Sequence, residues 1–206
     1  KISALQESFS VAKKKMPILK KALRPLIENE SSRIMADIKA FEVQVEGHLA
    51  SFKGEPIFDY ATGCDAAYDR SNALHLDLID IESGTAELKE LATLFDFPDA
   101  INKTAEMVNS MRADLVLTKK LWDLVNIVTT TLDEWQSTLW NDINTGAMEE
   151  EAKNLAKGVK GLDKRLRNFD AYAGLDTFLK NFLVTLPAVA DLRSPSMRER
   201  HWKLLM

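Results

Sequence analysis

The chain has 206 residues, 46% of them hydrophobic and 28% charged, with a formal net charge of −4 and a single cysteine. Such a chain can bury a sizeable core, and its composition is that of neither a disordered nor a membrane-embedded protein; no apolar run approaches the ~20 residues that span a bilayer. The acidic balance argues against nucleic acid as the main partner, and Cys64 alone excludes an internal disulfide.

The start, Lys1-Ile2-Ser3-Ala4, has neither an initiator methionine nor a signal-peptide layout, and reads as a domain boundary. Strand alternation is nearly absent, so an all-α protein is expected. Residues 3 to 22 carry a first helical pattern, bent or split at Pro17, and Pro25 marks a second boundary or kink. Ile27, Ile34, Ile38, Phe41, Val45 and Leu49 then predict a longer helix ending near Ser51. Lys13, Lys14, Lys15, Lys20 and Lys21 form the densest positive cluster, read as a solvated helix face.

Lys53-Gly54-Glu55-Pro56 reads as a connector and Thr62-Gly63 as a turn. Leu74, Leu78, Ile81, Leu88, Leu91 and Phe95 share one side of a helix over Ala66 to Phe95, with Ser83-Gly84 a place for a bend. Asp96-Phe97-Pro98-Asp99 ends it. A helix from about Ala100 to Trp140 follows, ~60 Å long if continuous, and it would carry Trp122, Trp135 and Trp140 on one packing stripe.

Asn141 to Gly146 is polar and turn-like. Met148, Ala152, Leu155, Val159, Leu162, Leu166 and Phe169 then step by four and three, a heptad seam that predicts packing against a neighbouring antiparallel helix. Gly158 and Gly161 inside it favour a close approach or a bend. Ala173-Gly174 reads as a turn into a helix ending at Leu186, followed by Pro187. Ser194-Pro195-Ser196 supplies a break and cap, after which Met197, Trp202, Leu205 and Met206 form the stripe of a last helix. Because that apolar stripe needs a cover, the chain reads as a fragment cut at both ends.

No catalytic, cofactor or metal site emerges. None of the glycines opens a phosphate-binding turn followed by Lys-Ser or Lys-Thr. His48, His75 and His201 lack zinc-ligand spacing, and Asp77, Asp80 and Glu82 read as a solvated face. Cys64 with His48 or His75 as base lacks an oxyanion turn, and a buried small side chain is the simpler reading. Glu149, Glu150 and Glu151 suit the first turn of a helix.

Several stretches in order carry a resemblance: Leu94-Phe95-Asp96-Phe97-Pro98, Lys120-Leu121-Trp122-Asp123, Leu132-Asp133-Glu134-Trp135, Leu139-Trp140-Asn141-Asp142-Ile143-Asn144, Leu162-Asp163-Lys164, Phe169-Asp170-Ala171-Tyr172, Gly174-Leu175, and Arg198-Glu199-Arg200-His201-Trp202. Together with the final stretch from Leu186 to Met206 they resemble the tail-to-linker segment, N-terminal region 2, of dynein heavy chains. Asp170 to Leu175 and Arg198 to Trp202 make the likeness greatest to axonemal outer-arm, beta-like heavy chains. Phe169 stands where the family pattern has tryptophan and keeps an aromatic there.

The resemblance implies elongated antiparallel helical bundles: residues 1–95 as a bundle of the tail, 96–190 as the long-helix and heptad bundle at the tail-linker junction, and 191–206 as the beginning of the linker. It implies a non-catalytic, force-transmitting role in an ATP-driven, microtubule-based motor of cilia and flagella, with ATP and Mg in an AAA+ ring outside these residues. Trp122, Trp135, Trp140, Phe169, Tyr172, Arg200, His201 and Trp202 are the expected anchors, and Pro98, Gly146, Pro187 and Pro195 the expected joints. The partners implied are the remainder of the same heavy chain, dynein intermediate and light chains, neighbouring heavy chains and, through the full-length protein, the microtubule; neither nucleic acid nor membrane is expected. Periodicity alone would equally fit a spectrin-like scaffold or tethering protein that binds partners along its length.

Overall fold

The computed structural model describes residues 2–194 and 196–205, with side chains placed for all of these except 2–8, 12, 199, 204 and 205. The described residues form helices and no strand: α1 (Ile2–Lys53), α2 (Cys64–Leu94), α3 (Asn102–Ser137), α4 (Thr145–Gly161), α5 (Asp170–Leu192) and α6 (Glu199–Leu205). Short 3-10 turns lie at Pro56–Phe58, Tyr60–Thr62, Pro98–Ile101 and Lys164–Asn168. The all-α expectation therefore agrees with the structure. The chain divides into two compact units, one of Lys1–Lys53 with Asp77–Met111, the other of Gly54–Leu76 with Arg112–Met206.

In the first unit, Ile34 and Ile38 of α1 are buried with Ala92 of α2 and Ile101, and Phe41, Leu88, Phe95 and Phe97 pack around them. Gly84 does not interrupt α2 as its sequence suggested. It lies against Phe41, whose ring would be 3.2 Å from an added Cβ, so the glycine admits α1 to close range. The end of α2 is closed by Asp96, whose φ of 66° lies in the left-handed region. The Phe97 amide donates to the Ala92 carbonyl at 2.9 Å and the Asp96 amide to Thr93 at 3.3 Å, the paired bonds of a Schellman stop. Pro98 then begins its own 3-10 turn, where its missing N–H costs nothing.

α1 corrects a second expectation, because it runs through Pro17 and Pro25 without a boundary. Each proline removes one amide and crowds the carbonyl four residues earlier, those of Lys13 and Lys21. Both lie on exposed turns, so water can take the bonds that the helix loses.

In the second unit, Leu121, Trp122, Val125, Val128 and Leu132 of α3 meet Val159 of α4, Leu166, and Ala171, Leu175 and Leu179 of α5. α3 stops at Ser137, so Trp140 lies beyond the helix that was expected to carry it. The Thr138 amide donates to the Trp135 carbonyl at 3.2 Å, a three-residue bond that tightens and closes the last turn.

The heptad pattern also outruns its helix. α4 begins at an Asn144 cap, whose side chain accepts from the Ala147 amide at 3.1 Å, and ends at Gly161. Leu162 is extended and Asp163 caps the following 3-10 turn by accepting from the Arg165 amide at 2.9 Å. Leu166 lies in that turn and Phe169 precedes α5, so the seam is one helix only as far as Val159. Ala173 and Gly174 are interior to α5 rather than a turn, and α5 continues past Leu186 and Pro187 to Leu192.

Candidate functional site

The second unit brings together most of the residues that the sequence singled out as anchors. Trp122 is fully buried and its indole N–H donates to the Ile57 carbonyl at 2.8 Å. That bond ties the connector after Gly54 to α3 and satisfies the one polar group of a large apolar side chain. Ile57 and Phe58 are themselves buried, and the Phe58 ring lies 4.5 Å from that of Phe169 at 37°. Tyr172, on the next turn of α5, is 9% exposed.

Tyr60 completes this arrangement from the second connector turn. Its amide donates to the Asp170 carboxylate at 3.1 Å, and its ring occupies the place that a side chain on Gly174 would fill. The glycine is thus a notch in α5, made by deleting a β-carbon. Burial raises the Tyr60 phenol above its ordinary pKa, with Cys64 adding to the effect. Burial likewise raises the Cys64 thiol, reinforced by the Asp65 charge and partly opposed by Thr129. A thiol shifted upward is a poor nucleophile at neutral pH, and among the described residues no group of three or more His, Cys, Asp or Glu is placed to hold a metal.

Tyr68 donates to the Asp123 carboxylate at 2.8 Å, joining α2 to α3 in this unit. Its phenol is pushed far up by burial first and by that bond second. Glu55 and Arg70 form a two-bond ion pair that fixes the start of the connector on α2. The carboxylate is largely buried while the guanidinium is more open, so the pair is worth more than a fully exposed one.

Toward the end of the chain the aromatic contacts change character. Trp135 stacks on Phe182 of α5, with centroids 5.2 Å apart and 21° between planes. Trp140 meets Trp202 of α6 edge to face at 5.7 Å and 87°. Arg193, just past α5, donates through Nη2 to the Asn141 carbonyl. The polar stretch between α3 and α4 is consequently tied at two adjacent residues to the segment that follows α5. His201 Nδ1 accepts from the Arg198 amide at 3.2 Å, and Arg200 is exposed beside it.

Gly146 is the second residue of α4, and Pro187 is exposed inside α5. Pro195 and Met206 lie outside the described residues. Tyr60, Trp135, Trp140, Met148, Phe178 and Phe182 contribute to an open, mainly apolar cleft of about 700 Å3. The connector residues Ile57, Phe58 and Tyr60 escaped sequence reasoning because they lie between Gly and Pro punctuation in turns too short for a periodic pattern. The available signal was three large side chains in four positions of a supposed loop.

A family model described as dynein heavy chain, N-terminal region 2, matches residues 108–206. The flagellar outer-arm dynein alpha chain of Chlamydomonas reinhardtii is 38% identical over 206 residues, which is 100% of this chain and 5% of that protein. A ciliary dynein beta chain of Heliocidaris crassispina is 34% identical over 207 residues, 100% of this chain and 4% of that one. Dynein axonemal heavy chain 9 of Homo sapiens is 32% identical over 209 residues, again 100% and 4%. The chain therefore spans only 4–5% of the length of these relatives.

Proposed function

Since this chain belongs to the dynein heavy chain family, as a segment of its N-terminal region, we propose that it is a non-catalytic, force-transmitting part of an ATP-driven, microtubule-based motor of the cilium or flagellum. ATP and Mg2+ act in the AAA+ ring, in the remainder of the heavy chain, and not in these helices. Displacement generated there passes through the linker and these helices to the tail. The partners are that remainder together with other dynein chains of the same assembly, the intermediate and light chains and the neighbouring heavy chains among them. The names of the relatives, which are flagellar, ciliary and axonemal, support this placement.

One observation carries the mechanical reading: the Trp140 to Trp202 contact beside the Arg193 bond to Asn141. A segment that transmits displacement needs its successive helices fixed to one another by contacts that do not slide. An edge-to-face indole pair has a preferred angle and is worth ~0.5–1.5 kcal/mol beyond its area. A charged hydrogen bond to a backbone carbonyl adds a directional tie. His201 and Arg200 flank Trp202 on the same short helix, and in this reading they help to hold it in place.

The test uses the full-length heavy chain. Trp140→Ala and Trp202→Ala should each leave microtubule-stimulated ATP hydrolysis near the unsubstituted rate while lowering gliding velocity. The double variant should be no slower than either single one, because both remove the same contact. Unchanged gliding velocity in a variant with unchanged helicity and thermal stability would overturn the assignment.

A further inference from the structure

The first half of α1 carries a long apolar face that stays open. Phe9 is 72% exposed, Met16 60%, Leu19 58%, Leu23 49% and Leu26 62%. In the sequence this series is joined by Ile2, Leu5 and Ala12, giving steps of three and four without a gap from residue 2 to residue 26. That spacing is the a/d seam of a helix made to pair with another helix. The same register then meets Glu30 and Arg33, and the apolar face shifts to Ile34, Ile38 and Val45, which the first unit buries. One helix therefore bears two seams in succession, and only the second is filled among the described residues.

The flanks of the open seam say what could fill it. With Phe9, Met16 and Leu23 at a and Ala12, Leu19 and Leu26 at d, the e and g positions between residues 13 and 20 are Lys13, Lys15 and Lys20, all exposed, while Ser8, Ala22 and Ile27 complete the flanks. A second copy of α1 is a poor partner. Parallel pairing would set Lys15 against Lys20, and antiparallel pairing would set Lys13 against Lys20 along the e flank. A lipid surface is also a poor fit, because the exposed apolar residues are not gathered on one broad face: Val11 and Ile18 are exposed on the side away from the seam. Pro17 and Pro25 fall at outer b and c positions of this register, so their missing amides leave the seam intact.

We infer that the Phe9 to Leu26 seam of α1 docks an amphipathic helix contributed by another part of the same heavy chain, apolar at a and d and carrying Glu or Asp at e and g. The acids face Lys13, Lys15 and Lys20 and set the register. The source is the same polypeptide because this chain is only 4–5% of the length of its relatives, and a tethered helix meets the seam at a high effective concentration. A separate partner would have to bind a short seam that offers no tryptophan and no buried polar contact.

Two measurements test this. First, the 206-residue chain is titrated with designed four-heptad peptides having Ile at a, Leu at d and either Glu or Lys at e and g, followed by fluorescence anisotropy. The Glu-flanked peptide should bind at least about tenfold more tightly than the Lys-flanked one, with the gap closing in about 1 M salt. Charge reversal at Lys13, Lys15 and Lys20 together should invert the preference, and Leu19→Asp with Leu23→Asp should abolish binding of both peptides. Those leucines are exposed, so tryptophan emission should be unchanged. Equal binding of the two peptides, binding of neither, or self-association of the chain alone would overturn the assignment. Second, zero-length carbodiimide cross-linking of the intact heavy chain should join Lys13, Lys15 or Lys20 to acids of an apolar heptad helix in the same polypeptide. Cross-links confined to a different polypeptide or to a lipid-bound fraction would instead identify a separate occupant and refute the intrachain source.

Discussion

A β-carbon on Gly174 would fall on the ring of Tyr60, and neither side has room to yield: the helix backbone is fixed on one side and a half-buried aromatic on the other. Gly174→Ala is therefore expected to lower stability by ~1–3 kcal/mol, the usual cost of overpacking, despite the better helix propensity of alanine. Urea unfolding measures it. Combining the change with Tyr60→Gly, which removes the β-carbon at 2.5 Å as well as the ring, should recover part of the loss, and a Gly174→Ala chain as stable as the original would remove the notch as an explanation. At this scale the sequence was legible for side chains and misleading for backbone. Trp122 read as a packing anchor and is fully buried with its N–H paired, whereas Gly174 read as a turn because a glycine needed for close approach looks the same as one needed for a bend.

Among elements, the inward faces were more readable than the ends. Leu74, Leu78 and Ile81 of α2 and Leu115, Trp122, Val125 and Val128 of α3 follow helical spacing and are buried. Leu166 continues the four-three pattern and is buried too, but in a 3-10 turn, since periodicity tests which side chains point inward and not whether the ladder behind them is unbroken. Pro17 and Pro25 misled in the opposite direction, because their rule supposes that the freed carbonyls have nowhere to go. The end of α2 was legible from Asp96-Phe97-Pro98, although the device there is a left-handed aspartate rather than the usual glycine. Asp96→Gly should accordingly stabilise the chain by ~0.5–1 kcal/mol, since a non-glycine residue in that region is strained. A rise in the urea midpoint at constant slope is the expected reading, and a fall would mean that the carboxylate contributes more than the strain removes.

For the whole molecule, all four tryptophans belong to the second unit, and the open seam of α1 belongs to the first. A helix with an exposed apolar face and two prolines draws little support from packing, so it should melt before either core. Far-ultraviolet circular dichroism should therefore show loss of helix at low denaturant with no change in tryptophan emission, giving transitions that do not coincide. Coincident curves would mean that the start of α1 is as stable as the cores. The division into two units was not legible in the chain order, because each unit draws on two separated stretches and the partition runs through α2 and α3. Linear reading finds breaks between elements and has no signal for one that falls within a helix.

The notch at Gly174 also bears on how chains of this kind can change in length over evolution. An α-helix turns by about 100° per residue, so one residue inserted or lost between Phe169 and Gly174 would set the notch, and the buried Leu175 and Leu179 beyond it, out of register with the connector that holds Tyr60. Substitutions on the exposed face of α5 leave that alignment untouched. The stretch from Trp140 to Asn144 is a different case, a loop whose ties at Trp140 and Asn141 sit at its beginning. Length variation is thus expected to gather after Asn141 and to be absent from the first turn of α5, an asymmetry written by geometry rather than by chemistry.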